Sequence, residues 1–222
     1  MRLAAAGFFL LAAMTFLAHG QDGAVPSSPP NDPLLYQRRL AMVVRLATQD
    51  YEAGNYQGAL DRLAALQGAA AQDLSVLNLR GAVLTKSGDY EGARKVFQGI
   101  LTTDPSYFPA SFNLAEVQFM AGDAAGALEA FRTIRTRDPR NELVLFKLIL
   151  CHLTLGQEEE ARKLSEALIP AGSTPAWYYA QAALARKAGD RRAEAKNIDA
   201  ALAIYEESNC KLFDESMAHA KF

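Results

Sequence analysis

Cys151 and His152 stand side by side, and a thiol beside an imidazole is the pairing that a thiol nucleophile uses. Adjacent helical residues point about 100° apart, so on a helix these two cannot form a nucleophile–base pair. His152 therefore reads as an ordinary helix histidine. The other histidines are His19 and His219, and three His with two Cys are too few for most metal clusters. Glu158-Glu159-Glu160 offers carboxylates to a cation, but acids opening a helix suit the positive end of its dipole. Arg38-Arg39 and Arg191-Arg192 carry no interleaved aromatics and read as solvated surface. No glycine loop has the form that cradles phosphate. An enzyme needs a base, a nucleophile or a metal in one pocket. No catalytic residue, metal ligand or cofactor is expected here.

Composition narrows the class further. The chain has 222 residues, 50% hydrophobic, 22% charged and 9% aromatic. That balance excludes an intrinsically disordered chain and a collagen-like one. Lys and Arg number 23 against 25 Asp and Glu, a formal charge of −2, so the basic excess of a nucleic-acid binder is missing. What remains is an Ala-rich chain expected to be all-α.

The first residues read as an address. Arg2 is followed by an uncharged run from Leu3 to Leu17, then by Ala18-His19-Gly20, with small residues three and one before a cut ahead of Gln21. This is the three-part pattern of a secretory signal peptide. The alternative, a retained membrane anchor, needs about 20 apolar residues, more than this run supplies. Residues 1–20 are expected to be removed and the chain exported, to a bacterial periplasm or the extracellular space, with no membrane span left after cleavage. Residues 21–34, with Val25-Pro-Ser-Ser-Pro-Pro-Asn-Asp-Pro33, are expected to be a disordered linker.

Along the rest of the chain, one pattern recurs. Gly54, Gly88, Gly122 and Gly156 lie 34 residues apart, and Gly189 follows after 33. Ala59, Ala93, Ala127 and Ala161 each come five residues after a glycine, and Asp104-Pro105 and Asp138-Pro139 are themselves 34 apart. Glycine supplies the left-handed residue that ends a helix, and a small alanine lets two helices approach. Leu63, Phe97 and Phe131, then Leu66, Ile100, Ile134 and Leu168, form one apolar face of the following helix. None of the nine prolines falls inside a predicted helix beyond its first turn. A period of this length signals a helical solenoid.

With these motifs in place, the sequence resembles the tetratricopeptide repeat family of 34-residue helix-turn-helix units. The clearest unit runs from Ala110 through Gly122-Asp-Ala-Ala-Gly-Ala127 to Phe131 and ends at Asp138-Pro139. Leu79-Arg-Gly81 stands near the family's Leu-Gly pair, and Trp177 where the family often has a tryptophan. The resemblance implies an all-α, right-handed superhelical solenoid over residues 35–207, with repeats near 40–73, 74–107, 108–141, 142–173 and 174–207. Residues 208–222 are expected to form an amphipathic capping helix with Leu212, Phe213 and Met217 on one side. The fifth unit departs from the pattern: its register is open by one residue, because Ala193 follows Gly189 by only four.

In the family, a stripe on the first helix of each unit lines a concave groove that holds a protein or peptide. Carried over by position, the stripe includes Tyr51, Asn78, Phe112, Glu116, Phe119, Met120, Phe146, Leu150, Leu153, Tyr178 and Arg186. The Lys and Asn combination that grips a terminal carboxylate in some members is absent from it. Its apolar middle points to a hydrophobic partner segment. The alternatives are that these residues are core, that the chain's own last helix covers them, or that they form a homo-oligomer interface. The expected function is a non-enzymatic scaffold or adaptor in the cell envelope, or else a self-associating structural module.

In this frame Cys151 lies in a first helix and Cys210 beyond the last hairpin. Helices pack about 8–10 Å apart, and a disulfide needs Cα atoms within about 7 Å. A buried thiol at Cys151 and a free or intermolecular thiol at Cys210 are expected. A bridge would require the tail to fold back.

Overall fold

The computed structural model describes residues 33–222. The expected signal peptide and the linker as far as residue 32 lie outside the described residues. Among the described residues the chain forms eleven α-helices and one short 3₁₀ turn, Gly68–Gln72, with no strand. The expected all-α fold class is therefore what the chain adopts. The chain divides into two compact units meeting between Val117 and Gln118.

The amino-terminal unit contains α1 (Pro33–Glu52), α2 (Tyr56–Ala64), α3 (Leu74–Lys86), α4 (Tyr90–Thr103) and most of α5 (Phe108–Met120). Helix α1 pairs with α2 and α3 with α4 as antiparallel hairpins. The turns between them show why the glycines recur. Gly88 has φ +88°, where a Cβ is disfavoured, and the next residue, Asp89, caps α4 by accepting from the Gly92 amide at 2.9 Å. Asn55 does the same for α2 through Gly58. Behind the caps, Ala93, Phe97 and Ile100 of α4 close on Ala110 and Val117 of α5, with Leu77, Tyr90 and Leu114 packed around them. The apolar face expected from spacing is thus the core.

The carboxy-terminal unit contains the end of α5, then α6 (Ala124–Arg137), α7 (Glu142–Thr154), α8 (Glu158–Ser165), α9 (Ala176–Lys187), α10 (Arg191–Ile204) and α11 (Glu207–His219). Asp123 caps α6 through the Gly126 amide at 2.8 Å, and Asp190 caps α10 through the Ala193 amide at 2.9 Å. The α10 cap settles the register of the fifth unit. Asp190 stands one residue after Gly189 as Asp123 does after Gly122, so the phase is unshifted. The position that holds Ala59, Ala93, Ala127 and Ala161, all fully buried, is taken by Glu194. Its carboxylate is held by Arg186 Nε at 2.7 Å.

Helix α8 departs differently. Gln157 stands at its N-cap and makes no capping bond. Its amide oxygen instead lies 2.6 Å from Nδ1 of His152. The buried His152 is therefore a structural side chain at the end of α7. The α8–α9 connection, which lacks a tight Asp-Pro, is held by Glu142 at the start of α7. Its Oε2 accepts from the Ser173 hydroxyl at 3.0 Å, the Thr174 amide at 3.0 Å and the Thr174 hydroxyl at 2.5 Å.

Candidate functional site

The stripe carried over from the sequence falls on the first helices of successive hairpins, and each unit shows its own part. In the amino-terminal unit Tyr51, Asn78, Phe112 and Glu116 are all buried. Asn113 Nδ2 donates to Asn78 Oδ1 at 3.0 Å, tying α5 to α3 with a polar bond inside the unit. Phe112 packs against Phe108 with ring centroids 6.2 Å apart.

In the carboxy-terminal unit the stripe is Phe119, Met120, Phe146, Leu150, Leu153, Tyr178 and Arg186. Met120, Tyr178 and Arg186 are half-buried and the others are buried. Helix α7 is buried over every residue from Val144 to Leu153. A helix apolar all round must have neighbours all round. Helices α6, α8 and α9 pack against α7, and α11 covers a further side of it.

Helix α11 forms where the amphipathic segment was expected, and its inward residues are Cys210, Phe213, Ser216 and Met217. The Phe213 ring lies 5.0 Å from that of Phe146 in α7 and 5.3 Å from that of Tyr179 in α9. Polar bonds surround this aromatic anchor. The Tyr179 hydroxyl donates to Asp214 Oδ1 at 2.6 Å. The buried Lys147 ammonium donates to the Ser216 hydroxyl. Arg186 Nη1 donates to the Met217 carbonyl at 2.6 Å, completing a tie that joins α9, α10 and α11 through one guanidinium. Arg186, expected in the groove, is thus a structural clamp.

Burial pushes the Tyr179 phenol far above its ordinary range, and the bond to the Asp214 carboxylate pushes the same way. Burial also raises the Cys210 thiol, against the lowering effect of its bond to Tyr179. Neither cysteine is in a disulfide, and both are buried. The tail does fold back, as a bridge would need, yet the thiols stay apart. Burial of Cys210 also removes it as a ready intermolecular thiol. Among the described residues, no group of three or more His, Cys, Asp and Glu is placed to hold a metal ion. No described helix is long and apolar enough to cross a membrane.

Two residues beside the carried-over stripe escaped the reading of the sequence. Lys147 and Tyr179 stand next to the stripe residues Phe146 and Tyr178, and both contact α11. A lysine within the apolar run Leu143–Leu153 was the one visible signal.

The sequence profile of the tetratricopeptide repeat family matches residues 84–127 and 118–184. Among solved structures, the thermophilic TPR protein TTC0263 of Thermus thermophilus superposes with a TM-score of 0.63 at 19% identity, over 81% of this chain and 98% of that one. MamA from Desulfovibrio magneticus RS-1, residues 41 to the end, superposes with a TM-score of 0.56 at 19% identity, over 74% of this chain and 94% of that one. At such identity the likeness is one of fold. A search of curated protein sequences finds no match.

Proposed function

This chain is a tetratricopeptide repeat protein, and from that premise we propose that it is a non-enzymatic scaffold of the cell envelope that binds a protein or peptide partner on its first-helix face. The observation that carries the reading is the seating of α11. In the carboxy-terminal unit the first helices α7 and α9 already hold a helix, through one aromatic anchor and flanking polar bonds. That is how an amphipathic helix is recognised in a groove. Met120 and Tyr178, half-buried on the same stripe, are the side chains left to meet a partner. Aromatics and Met are enriched in such contacts. Export, to the periplasm of a bacterium or beyond the cell, is supported by the charged start, the apolar run and the small-residue site of residues 1–20.

The test uses residues 21–222 as bait in the envelope fraction of the source organism, with a light-scattering mass of the bait alone. A partner retained by the wild type and lost with Met120→Glu and Tyr178→Ala, at unchanged helix content, is the expected result. Capture that ignores both substitutions, or no capture from the envelope fraction, overturns the reading.

A further inference from the structure

The joint between α10 and α11 is two residues, Tyr205 and Glu206. Both are extended, at φ −113°, ψ 153° and φ −62°, ψ 144°. Tyr205 is fixed at one end by its hydroxyl, which donates to the Gly172 carbonyl at 3.1 Å. Beyond this joint α11 is held by side chains: Phe213 on Phe146 and Tyr179, Asp214 on Tyr179, Ser216 on Lys147, and the Met217 carbonyl on Arg186. A thirteen-residue helix has little stability of its own in water, so it persists because of the face it covers.

The joint is also where apolar surface is left uncovered. Leu202 and Ile204, on the last turn of α10, are 44% and 52% exposed. Ile169 is 67% exposed, and it belongs to the turn whose Gly172 carries the Tyr205 bond. These make up half of the large apolar side chains exposed among the described residues; the others are Leu34, Leu35 and Leu155.

We infer that α11 is exchangeable between copies: the α7–α9 face takes α11 of a second copy of this chain in place of its own, giving a reciprocally swapped dimer. Every contact α11 makes on α7 and α9 is reproduced in trans, because the second copy brings the same Phe213, Asp214, Ser216 and Met217. The exchange therefore loses no packing, and the balance is set by the joint and by new contacts at the crossing point. A two-residue extended link reaches only about 7 Å, so two copies that exchange α11 must meet edge to edge beside the end of α10. That edge is where Ile169, Leu202 and Ile204 are exposed, and the meeting takes their apolar surface from water. Joint length is a lever on such exchange, because a short joint limits how freely the element can stay on its own chain.

The full chain is equilibrated across a range of concentrations after brief exposure to mild urea, and its mass is read by light scattering. The mass is expected to rise from that of one 24.1 kDa chain towards twice that value. Excess synthetic peptide of residues 206–222 fills the face and returns the sample to single chains. A flexible Gly/Ser insertion between Tyr205 and Glu206, which gives α11 more freedom to stay on its own chain, also returns it to single chains. A single-chain mass at every concentration overturns the inference. So does a dimer that both the peptide and the insertion leave intact.

Discussion

Tyr179 in α9 and Asp214 in α11 share a hydrogen bond of 2.6 Å, and the pair fixes the last helix across the first helices of the carboxy-terminal unit. The phenol ring is fully buried while the carboxylate sits at the rim. The bond therefore spans the boundary between a dry anchor, Phe213 on Phe146 and Tyr179, and water. That arrangement gives α11 both affinity and direction, since an apolar anchor alone would permit the helix to rotate or slide. Lys147 with Ser216 and Arg186 with the Met217 carbonyl add further fixed points.

Tyr179→Phe keeps the aromatic contacts and removes the hydroxyl. A hydrogen bond whose acceptor stays hydrated contributes about 1 kcal/mol, which in a chain of this size is about 2–4 °C in Tm. Limited proteolysis should show faster cutting near Tyr205–Glu206 in the variant, at unchanged far-UV helix signal. An unchanged Tm and cutting rate would mean that the bond contributes nothing to holding α11.

Cys210 predicts a pH dependence. Burial raises its pKa in the fold, so the native chain keeps the thiol neutral where an unfolded thiol, with a pKa of about 8.5, has begun to lose its proton. Above that pH the unfolded state binds fewer protons than the native state, and stability falls as pH rises. One group contributes at most about 1.4 kcal/mol per pH unit. Urea unfolding in reductant between pH 7.5 and 9.5 should show a smaller alkaline decline for Cys210→Ala than for the wild type. Equal declines would mean that the thiol is not held neutral.

The repeats were legible because their chemistry is local. A glycine ending a helix, an Asp or Asn capping the next one and an apolar residue two turns later act within one hairpin, so their spacing survives in sequence. Leu63, Phe97, Phe131, Ile100 and Ile134 are buried where the period put them. The amphipathic pattern of Leu212, Phe213 and Met217 announced a helix, but no local signal says which face that helix covers. Phe213 finds Phe146 and Tyr179 only after the chain has closed. For the same reason Arg186 read as a groove residue: its partners Glu194 and the Met217 carbonyl are set by packing. Glu142 gave no sign that it would organise the α8–α9 connection.

Glu142→Ala tests that connection. Removing the carboxylate leaves the Thr174 amide, the Thr174 hydroxyl and the Ser173 hydroxyl without their shared acceptor. These groups are only partly buried, so water replaces some of what is lost. The expected cost is about 2 kcal/mol, together with new protease sensitivity between Ile169 and Pro175. Glu142→Gln retains one acceptor oxygen and should recover about half of the loss. A variant as stable and as resistant as the wild type would show that the turn holds itself.

Two glycine substitutions of opposite sign test whether the repeat period is a backbone requirement. Gly122 has φ +91° with open space around the Cβ position, so Gly122→Ala meets no side chain and any penalty comes from backbone strain. The expected cost is about 1 kcal/mol. Gly99 lies in the exposed interior of α4, and a Cβ there also meets nothing within 4 Å. Its backbone is helical, so Gly99→Ala removes freedom from the unfolded chain and should stabilise by up to about 1 kcal/mol. Thermal melts of the two variants against the wild type should therefore move in opposite directions. A shift of both in the same direction would show that the glycine at the repeat position is not there for its left-handed conformation.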